Sequence, residues 1–223
     1  MKNFLIATAL ILTTYLTTAQ TIYVDADATE WLGDGLSWQT AFANLHEALA
    51  AATDGDEIWV AEGTYYPSST DNPLEFFEVP AGVSIYGGFK GDELIRSQRD
   101  WSKYPTIISG EIGTSAHNDN SNNLLSVMGE NVAINGLVLQ ESYFDPTASS
   151  TYASSAIYVD ISGSVVVNNC RFFDCVSRSG TAIKGGAYSS ITMNNCLIEN
   201  NTINEGNMVT SDIDGSVTIR HCT

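Results

Sequence analysis

Short segments in which apolar and polar residues alternate follow one another along most of the chain, separated by Gly, Asn, Asp and Ser. A period of two is typical of strands with one buried face, and the separating residues are typical of turns. Only the stretch 37–54 shows helical spacing, so we predict a helix there, capped by Ser37 and ended by Gly55. The apolar residues that define this spacing are Phe42, Leu45, Leu49 and Ala52.

A repeat of 26 residues dominates the C-terminal half. SVVVNNCRFFD begins at Ser164, SITMNNCLIEN at Ser190 and SVTIRHC at Ser216. Each copy contains short strands and turns but no helical pattern. One such coil cannot bury its inward side chains alone, whereas stacked coils share a continuous interior. The repeat therefore predicts a parallel β-solenoid.

Earlier coils are recognisable but stretched. VAINGL at 132–137 and VSIYGG at 83–88 align with the serine-led copies, and EIWVA at 57–61 resembles a first coil. We count about six partial coils and expect the helix at 37–54 to cover the open N-terminal end. The last copy stops in mid-repeat, so we expect the chain to be truncated at its C-terminus.

The first 19 residues have the pattern of a secretory signal peptide. Lys2 precedes an apolar run at 4–16, and small residues lead to a cleavage point after Ala19. The run is too short for a transmembrane helix, and no later stretch reaches 18 apolar residues. A buried N-terminal helix is the alternative. We expect a single β-helix domain over 20–223, located outside the cytoplasm and lacking a transmembrane helix.

The chain is strongly acidic, with 26 Asp and Glu against 9 Lys and Arg and a net charge of −17. This charge repels a phosphate backbone, so we expect no nucleic-acid partner. Four cysteines in 223 residues are too few for a disulfide scaffold.

The repeat places equivalent side chains in ladders. Cys170, Cys196 and Cys222 share one position, which favours a stack of buried thiols over disulfides or zinc ligation. Whether Cys175 pairs is left open. Asn169 and Asn195 mark the preceding position, where side-chain amides can bond from coil to coil.

The order of several motifs resembles that of secreted right-handed parallel β-helix proteins of the pectin-lyase-like superfamily. These motifs are IYVDADAT, GLSWQTAFANLHEALAAA, GDEIWVAEGTYYP, VSIYGGFKGDE and RSQRDWSKYPTIISGEIG. Within that superfamily the chain is most similar to proteins with polymorphic-outer-membrane-protein-type repeats from Bacteroidetes-like bacteria. The resemblance implies an all-β, right-handed, single-stranded β-helix that is secreted or associated with the outer membrane.

Alternating outward positions predict one candidate catalytic surface. Tyr158 and Lys184 lie in one column, while Asp160 and Asp212 lie in the next, two coils and about 9–10 Å apart. Two carboxylates near that separation can act together on a glycosidic bond. The superfamily's polygalacturonase motifs are absent from the sequence, and a solvated charged face is the alternative interpretation.

Two further candidates concern ligands rather than catalysis. Acidic residues cluster on one loop as possible calcium ligands, namely Asp25, Asp27, Glu30 and Asp34, although an ordinary polar turn would also explain them. Trp101, Tyr104 and Tyr158 could stack on sugar rings, although packing against the solenoid is the alternative.

These observations predict a monomeric, secreted or cell-surface β-helix used for adhesion, display or carbohydrate contact, without catalysis. The alternatives are a polysaccharide lyase or glycoside hydrolase acting through Asp160, Lys184 and Asp212, and a pure structural scaffold. We expect no cofactor other than calcium.

Overall fold

The computed structural model describes residues 19–29, 33–145 and 154–223, so the predicted leader at 1–18 lies outside it. Within these residues one α-helix, α1 (Leu45–Ala51), accompanies short parallel strands and three single-turn 3-10 helices at Trp38–Thr40, Arg96–Gln98 and His117–Asp119. The strands are β1 (Thr21–Val24), β2 (Glu57–Ala61), β3 (Gly63–Tyr65), β4 (Phe77–Val79), β5 (Ser84–Phe89), β6 (Thr106–Ser109), β7 (Leu125–Val127), β8 (Val132–Asn135), β9 (Leu137–Gln140), β10 (Ile157–Val159), β11 (Ser164–Asn168), β12 (Arg171–Phe173), β13 (Val176–Ser177), β14 (Ile183–Gly185), β15 (Ser190–Asn194), β16 (Leu197–Glu199), β17 (Thr202–Ile203), β18 (Val209–Ser211) and β19 (Ser216–Arg220).

The strands stack into three long parallel sheets, and the chain visits each of them once per coil. Sheet A has the order β1-β2-β5-β8-β11-β15-β19, sheet B the order β16-β12-β9-β6-β3, and sheet C the order β18-β14-β10-β7-β4. A small fourth sheet pairs β13 with β17. The molecule is a right-handed parallel β-helix, as the sequence repeat and the resemblance predicted.

Inward side chains form ladders because the strands pair in register, with one shift between β2 and β5. In sheet A the innermost ladder runs through Ile22, Ile58, Ile85, Ile134, Val167, Met193 and Ile219. The first six of these residues are buried, whereas Ile219 in the last coil is 50% exposed. A parallel ladder on sheet B runs through Tyr65, Ile108, Leu139, Phe172 and Ile198. Each buried aliphatic side chain contributes about 1.5–3 kcal/mol, so the common interior stabilises the stack.

The N-terminal end differs from the prediction in two details. The helix is shorter than 37–54, because α1 begins after Asn44, whose side chain accepts a hydrogen bond from the His46 amide. The residues before it instead form the 3-10 turn Trp38–Thr40, which Ser37 caps, and then an extended segment in which Phe42 bridges to Val24 along the outer edge of β1. The coil at 57–61 is also preceded by one more strand, since β1 pairs with β2 along its whole length.

The helix covers the end of the solenoid. It packs against β1 and β4, the first strands of sheets A and C. Its buried face, Leu45, Ala48 and Leu49, joins the hydrophobic interior. The N-terminal cap predicted from the apolar spacing is therefore present, and it is built by both α1 and the extended segment before it. Among the described residues, no helix is long and apolar enough to cross a membrane.

The corner that follows the sheet A strand has a positive φ on four consecutive coils. Gly136, Asn169, Asn195 and His221 have φ values between 51° and 76°. Glycine adopts this left-handed conformation without penalty and asparagine tolerates it better than most residues. This backbone requirement explains why the repeat retains Asn-Cys at the corner, and it shows His221 to be the least suited residue of the four.

Candidate functional site

The outward column predicted around Tyr158 is present on sheet C. Tyr158 pairs in register with Lys184 on the next coil, and Lys184 pairs with Thr210. The column continues on the N-terminal side through Ser126 to Glu78. Five hydrogen-bonding side chains therefore stand in one row along the solenoid axis, about 4.8 Å apart.

The two predicted carboxylates flank this row just beyond the strand ends. The Asp160 amide donates to the Val127 carbonyl oxygen and the Asp212 amide donates to that of Gly185, which places both at the same corner two coils apart. Asp212 and Lys184 form an ion pair in which the lysine side chain is only 15% exposed. Asp160 accepts a hydrogen bond from the Ile161 amide at 2.7 Å.

The surroundings of Tyr158 show that these groups share one electrostatic environment. Burial, together with the negative charges of Asp160 and Asp212, raises the pKa of Tyr158. The phenol therefore remains neutral at physiological pH and keeps its hydrogen available for donation. The sequence-predicted residues Tyr158, Asp160, Lys184 and Asp212 are thus brought together on one surface.

The proposed calcium ligands are not brought together among the described residues. Asp25 accepts a hydrogen bond from the Asp27 amide, as in an Asx-turn. Asp34 accepts hydrogen bonds from the Thr40 hydroxyl and the Leu36 amide, and these bonds lower its pKa. The described chain contains no group of three or more His, Cys, Asp or Glu that could hold a metal ion. Glu30 lies outside the described residues.

The cysteines form a stack of free thiols inside the corner between sheets A and B. Cys170, Cys196 and Cys222 each donate weakly to the carbonyl oxygen two residues before them, those of Asn168, Asn194 and Arg220. All four cysteines, including Cys175, are free. Burial raises the pKa of Cys175 to about 11, which leaves it a protonated thiol at neutral pH.

A ladder of amides lies beside the thiols and reaches the long loop at 90–105. The Asn195 side chain donates to Asn169 Oδ1 at 2.7 Å, and Asn169 donates to Asn135 Oδ1 at 3.0 Å. Arg99, from the loop, donates to the same Asn135 oxygen at 2.8 Å. The guanidinium group of Arg99 therefore continues the amide ladder towards the N-terminal coils.

Of the aromatic residues predicted to contact sugars, Trp101 stands at the most open position. Its side chain is 40% exposed and carries the Arg99 guanidinium over its ring at 4.8 Å. Trp101 lines two adjoining surface grooves, one of about 410 Å³ with Arg96 and Arg99 and one of about 270 Å³ over the amide and thiol ladders. Tyr104 is half-buried, with the Lys103 ammonium group 4.8 Å from its ring centre.

The groove over the ladders was not predicted as a site. Its floor and walls come from three consecutive coils and from the loop, which are up to 122 residues apart in sequence. The available signal was the recurring Asn-Cys corner, for which only a structural role was predicted. A sequence alone does not show that the loop returns to this corner.

A family model matches residues 33–221, and its description is Protein of unknown function (DUF1565). The chain belongs to this family. The match includes every coil from the N-terminal cap to the last corner, so membership rests on nearly the whole described solenoid. No curated protein is similar enough to the chain to match.

Solved structures support the fold assignment. A rhamnogalacturonan lyase has a TM-score of 0.62 and 14% identity, over 92% of this chain and 51% of that one. Pectin methylesterase PemA from Erwinia chrysanthemi has a TM-score of 0.52 and 15% identity, over 92% of this chain and 55% of that one. The chain spans about half the length of these structures. These likenesses show the fold alone, which is a parallel β-helix.

Proposed function

We propose that this DUF1565 protein contacts polysaccharides through the outer face of sheet C without cleaving them. The single observation that carries the proposal is the ion pair between Lys184, which stands in the row of polar side chains, and Asp212, which flanks it. The ammonium group and the carboxylate are occupied with each other, an arrangement that favours a static binding surface over a free acid or base. The same groups can still donate to and accept from sugar hydroxyls.

Two further observations support binding rather than catalysis. Tyr158 is held as a neutral phenol next to the ion pair, which adds a hydrogen-bond donor and an aromatic edge. The structures with a similar fold include a rhamnogalacturonan lyase and a pectin methylesterase, whose names refer to pectic polysaccharides. We therefore take pectin-like chains as the first ligands to test.

The proposal includes a location for the protein outside the cytoplasm. The leader-like segment at 1–19 supports export, and a secreted or outer-membrane-associated molecule would meet such polysaccharides outside the cell. On this proposal the module would serve adhesion or display at the cell surface.

The test is binding of the purified protein to immobilised rhamnogalacturonan and to highly methyl-esterified pectin. We expect the double variant Tyr158→Ala/Lys184→Ala to bind about tenfold more weakly, because it removes an aromatic contact and a charged donor. Thr192→Ala, an outward substitution on sheet A, is the matched control and should bind as the parent does.

Two results would contradict the proposal. Release of shorter chains or unsaturated ends from either polysaccharide would show that the protein is a hydrolase or a lyase. Equal binding by the parent and the double variant would show that sheet C is not the contact surface.

A further inference from the structure

We propose that the groove beside Trp101 is a second, separate carbohydrate site, selective for polysaccharides that carry carboxylates, such as uronans. We name it the ladder groove. Its walls are formed by Trp101, Asn169, Arg171, Asn195, Leu197 and His221. It lies at the corner between sheets A and B, whereas the Tyr158 row lies on sheet C, so the two surfaces can be tested independently.

The distribution of charge is the first argument. The chain has a net charge of −17, yet six of its nine basic residues belong to the loop at 90–104 or to the corner strands beside the groove. They are Lys90, Arg96, Arg99, Lys103, Arg171 and Arg220. The same loop also carries Asp92, Glu93 and Asp100, so this region is close to neutral, whereas the rest of the molecule is strongly acidic. An anionic polymer is therefore repelled less here than elsewhere on the surface.

Not all of these cations are neutralised by acidic neighbours. Lys90 pairs with Asp92, Arg96 with Glu57, and Arg171 with Glu199. Within the part of the chain that the structure describes, Arg99, Lys103 and Arg220 form no ion pair. Arg220 is the register neighbour of Asn194, one residue before His221 of the groove. Its guanidinium group is therefore available to a ligand carboxylate.

The rigidity of Trp101 is the second argument. A Cβ atom at Gly88 would lie 2.6 Å from the backbone of Trp101. A Cβ atom at Gly136 would lie 3.1 Å from the Cβ atom of Trp101. The two glycines thus allow the loop to press directly onto the corner, and the stacked Arg99 holds the indole ring. An exposed aromatic ring that is already ordered loses little conformational entropy when a sugar stacks on it.

The amide ladder is the third argument. Asn195 is exposed and donates to Asn169, so its side-chain oxygen remains a possible acceptor for a sugar hydroxyl. The groove therefore contains an aromatic ring, amides and the guanidinium group of Arg171, and Arg99 and Arg220 lie close to it in the chain fold. This combination fits a sugar ring with hydroxyls and a carboxylate better than it fits an apolar ligand.

The experiment compares binding to polygalacturonate with binding to the fully methyl-esterified polymer, which has the same backbone without charge. We expect the parent protein to prefer polygalacturonate, and this preference to weaken as sodium chloride rises from about 0.05 to about 0.5 M. Trp101→Ala should weaken polygalacturonate binding about tenfold. Arg220→Gln should weaken it about three- to fivefold.

A charge-balanced pair of variants separates the site from general electrostatics. Arg171→Gln/Glu199→Gln removes the groove guanidinium without changing the net charge, and should weaken polygalacturonate binding. Arg178→Gln/Glu205→Gln removes a similarly exposed ion pair elsewhere on the solenoid and should leave binding unchanged. Circular dichroism of each variant checks that the fold is retained.

Three outcomes would overturn this inference. The first is that the parent protein does not bind polygalacturonate. The second is that the groove variants bind it as well as the parent does. The third is that the parent binds single-stranded DNA of the same charge as tightly as it binds polygalacturonate. Each is distinct from failure of the sheet C proposal, which is judged by Tyr158→Ala/Lys184→Ala on highly methyl-esterified pectin, where few carboxylates are left for the ladder groove.

Discussion

The N-terminal and C-terminal coils have the same path but are held together differently. Around β1, β2 and β5, the outer face of sheet A is covered by aromatic rings: Trp59 stacks on Phe89 with centroids 4.7 Å apart, and Trp38 and Tyr23 pack beside them. From β11 onward, the corresponding outward column contains Asn168, Asn194 and Arg220. There the coils are connected by amide hydrogen bonds and stacked thiols rather than by an aromatic layer.

This difference is related to the loops. The coils before residue 145 differ in length and send long loops across the surface, so each needs its own packing. The last three copies repeat every 26 residues, so identical side chains fall on top of one another and a ladder can form. In a solenoid of this kind, stability is approximately a sum over coils and their interfaces. We therefore expect single substitutions to cost more in the aromatic region than in the ladders.

The largest effect is expected for Phe89→Ala. Phe89 is fully buried and contacts both Trp59 and Trp38, so its removal leaves a cavity that these two rings cannot fill. Loss of a buried Phe costs about 3–5 kcal/mol in the free energy of unfolding, measurable as a lower urea midpoint.

Val166→Ala is the matched control from the C-terminal half. It is an outward residue of sheet A with 41% exposure, and its loss should cost under about 0.5 kcal/mol. A cost for Phe89→Ala as small as that of the control would mean that the aromatic layer does not hold the N-terminal coils together.

Asn169→Ala tests the ladder and should cost about 2–3 kcal/mol in the free energy of unfolding. The amide bonds to both Asn135 and Asn195, and the backbone has a φ of 54° that alanine adopts at a cost. Asn169→Gly keeps the backbone free of strain, so it isolates the amide and should cost about half as much. If both variants were equally destabilised, the backbone conformation would not contribute.

The sequence predicted the regular C-terminal coils better than the N-terminal ones. The register from Val132 onward was predictable, because buried positions such as Val165 and Ile191 recur with identical neighbours. The strand β1 was missed because no repeat marks it. The helix was predicted too long because Phe42 has helical spacing but takes part in a strand-like bridge to Val24.

The candidate sites also differ in how far the sequence predicted them. The alternation of strands was enough to place Tyr158, Lys184 and Thr210 in one column, because register alone decides which residues face outward together. It did not predict the ion pair of Lys184 with Asp212, which depends on side-chain conformation. The ladder groove was unpredictable for a different reason, since it requires the loop that carries Trp101 to fold back onto Gly88 and Gly136.

Acid should weaken the N-terminal end through Asp56. Burial alone would raise the pKa of this carboxyl, but hydrogen bonds from the Gln20 amide and from the amide and hydroxyl of Thr53 lower it overall. Because the folded pKa lies below the unfolded value of about 3.9, Asp56 stabilises the fold fully above that value, and the contribution is lost as pH falls through the folded pKa.

Asp56→Asn should therefore cost about 1–2 kcal/mol at pH 7, and the difference from the parent should shrink below about pH 4. Urea unfolding at several pH values measures this. Glu199→Gln, which loses an exposed ion pair in the C-terminal half, is the control and should cost under about 1 kcal/mol. A difference for Asp56→Asn that persists unchanged at pH 3 would contradict the assignment.

The smallest expected effect is a gain in stability, from His221→Asn. His221 occupies the corner position that Asn169 and Asn195 hold on the preceding coils, with a φ of 53°. His221→Asn places a residue that tolerates this conformation better, and its amide can donate to the free oxygen of Asn195. We expect a gain of about 0.5–1 kcal/mol, or a rise in Tm of about 1–3 °C. His221→Ala should instead be neutral or destabilising, since it lacks the amide. A gain from alanine equal to that from asparagine would mean that the ladder does not extend to the last corner, and that the C-terminal coils are stabilised by their thiol stack and interior alone.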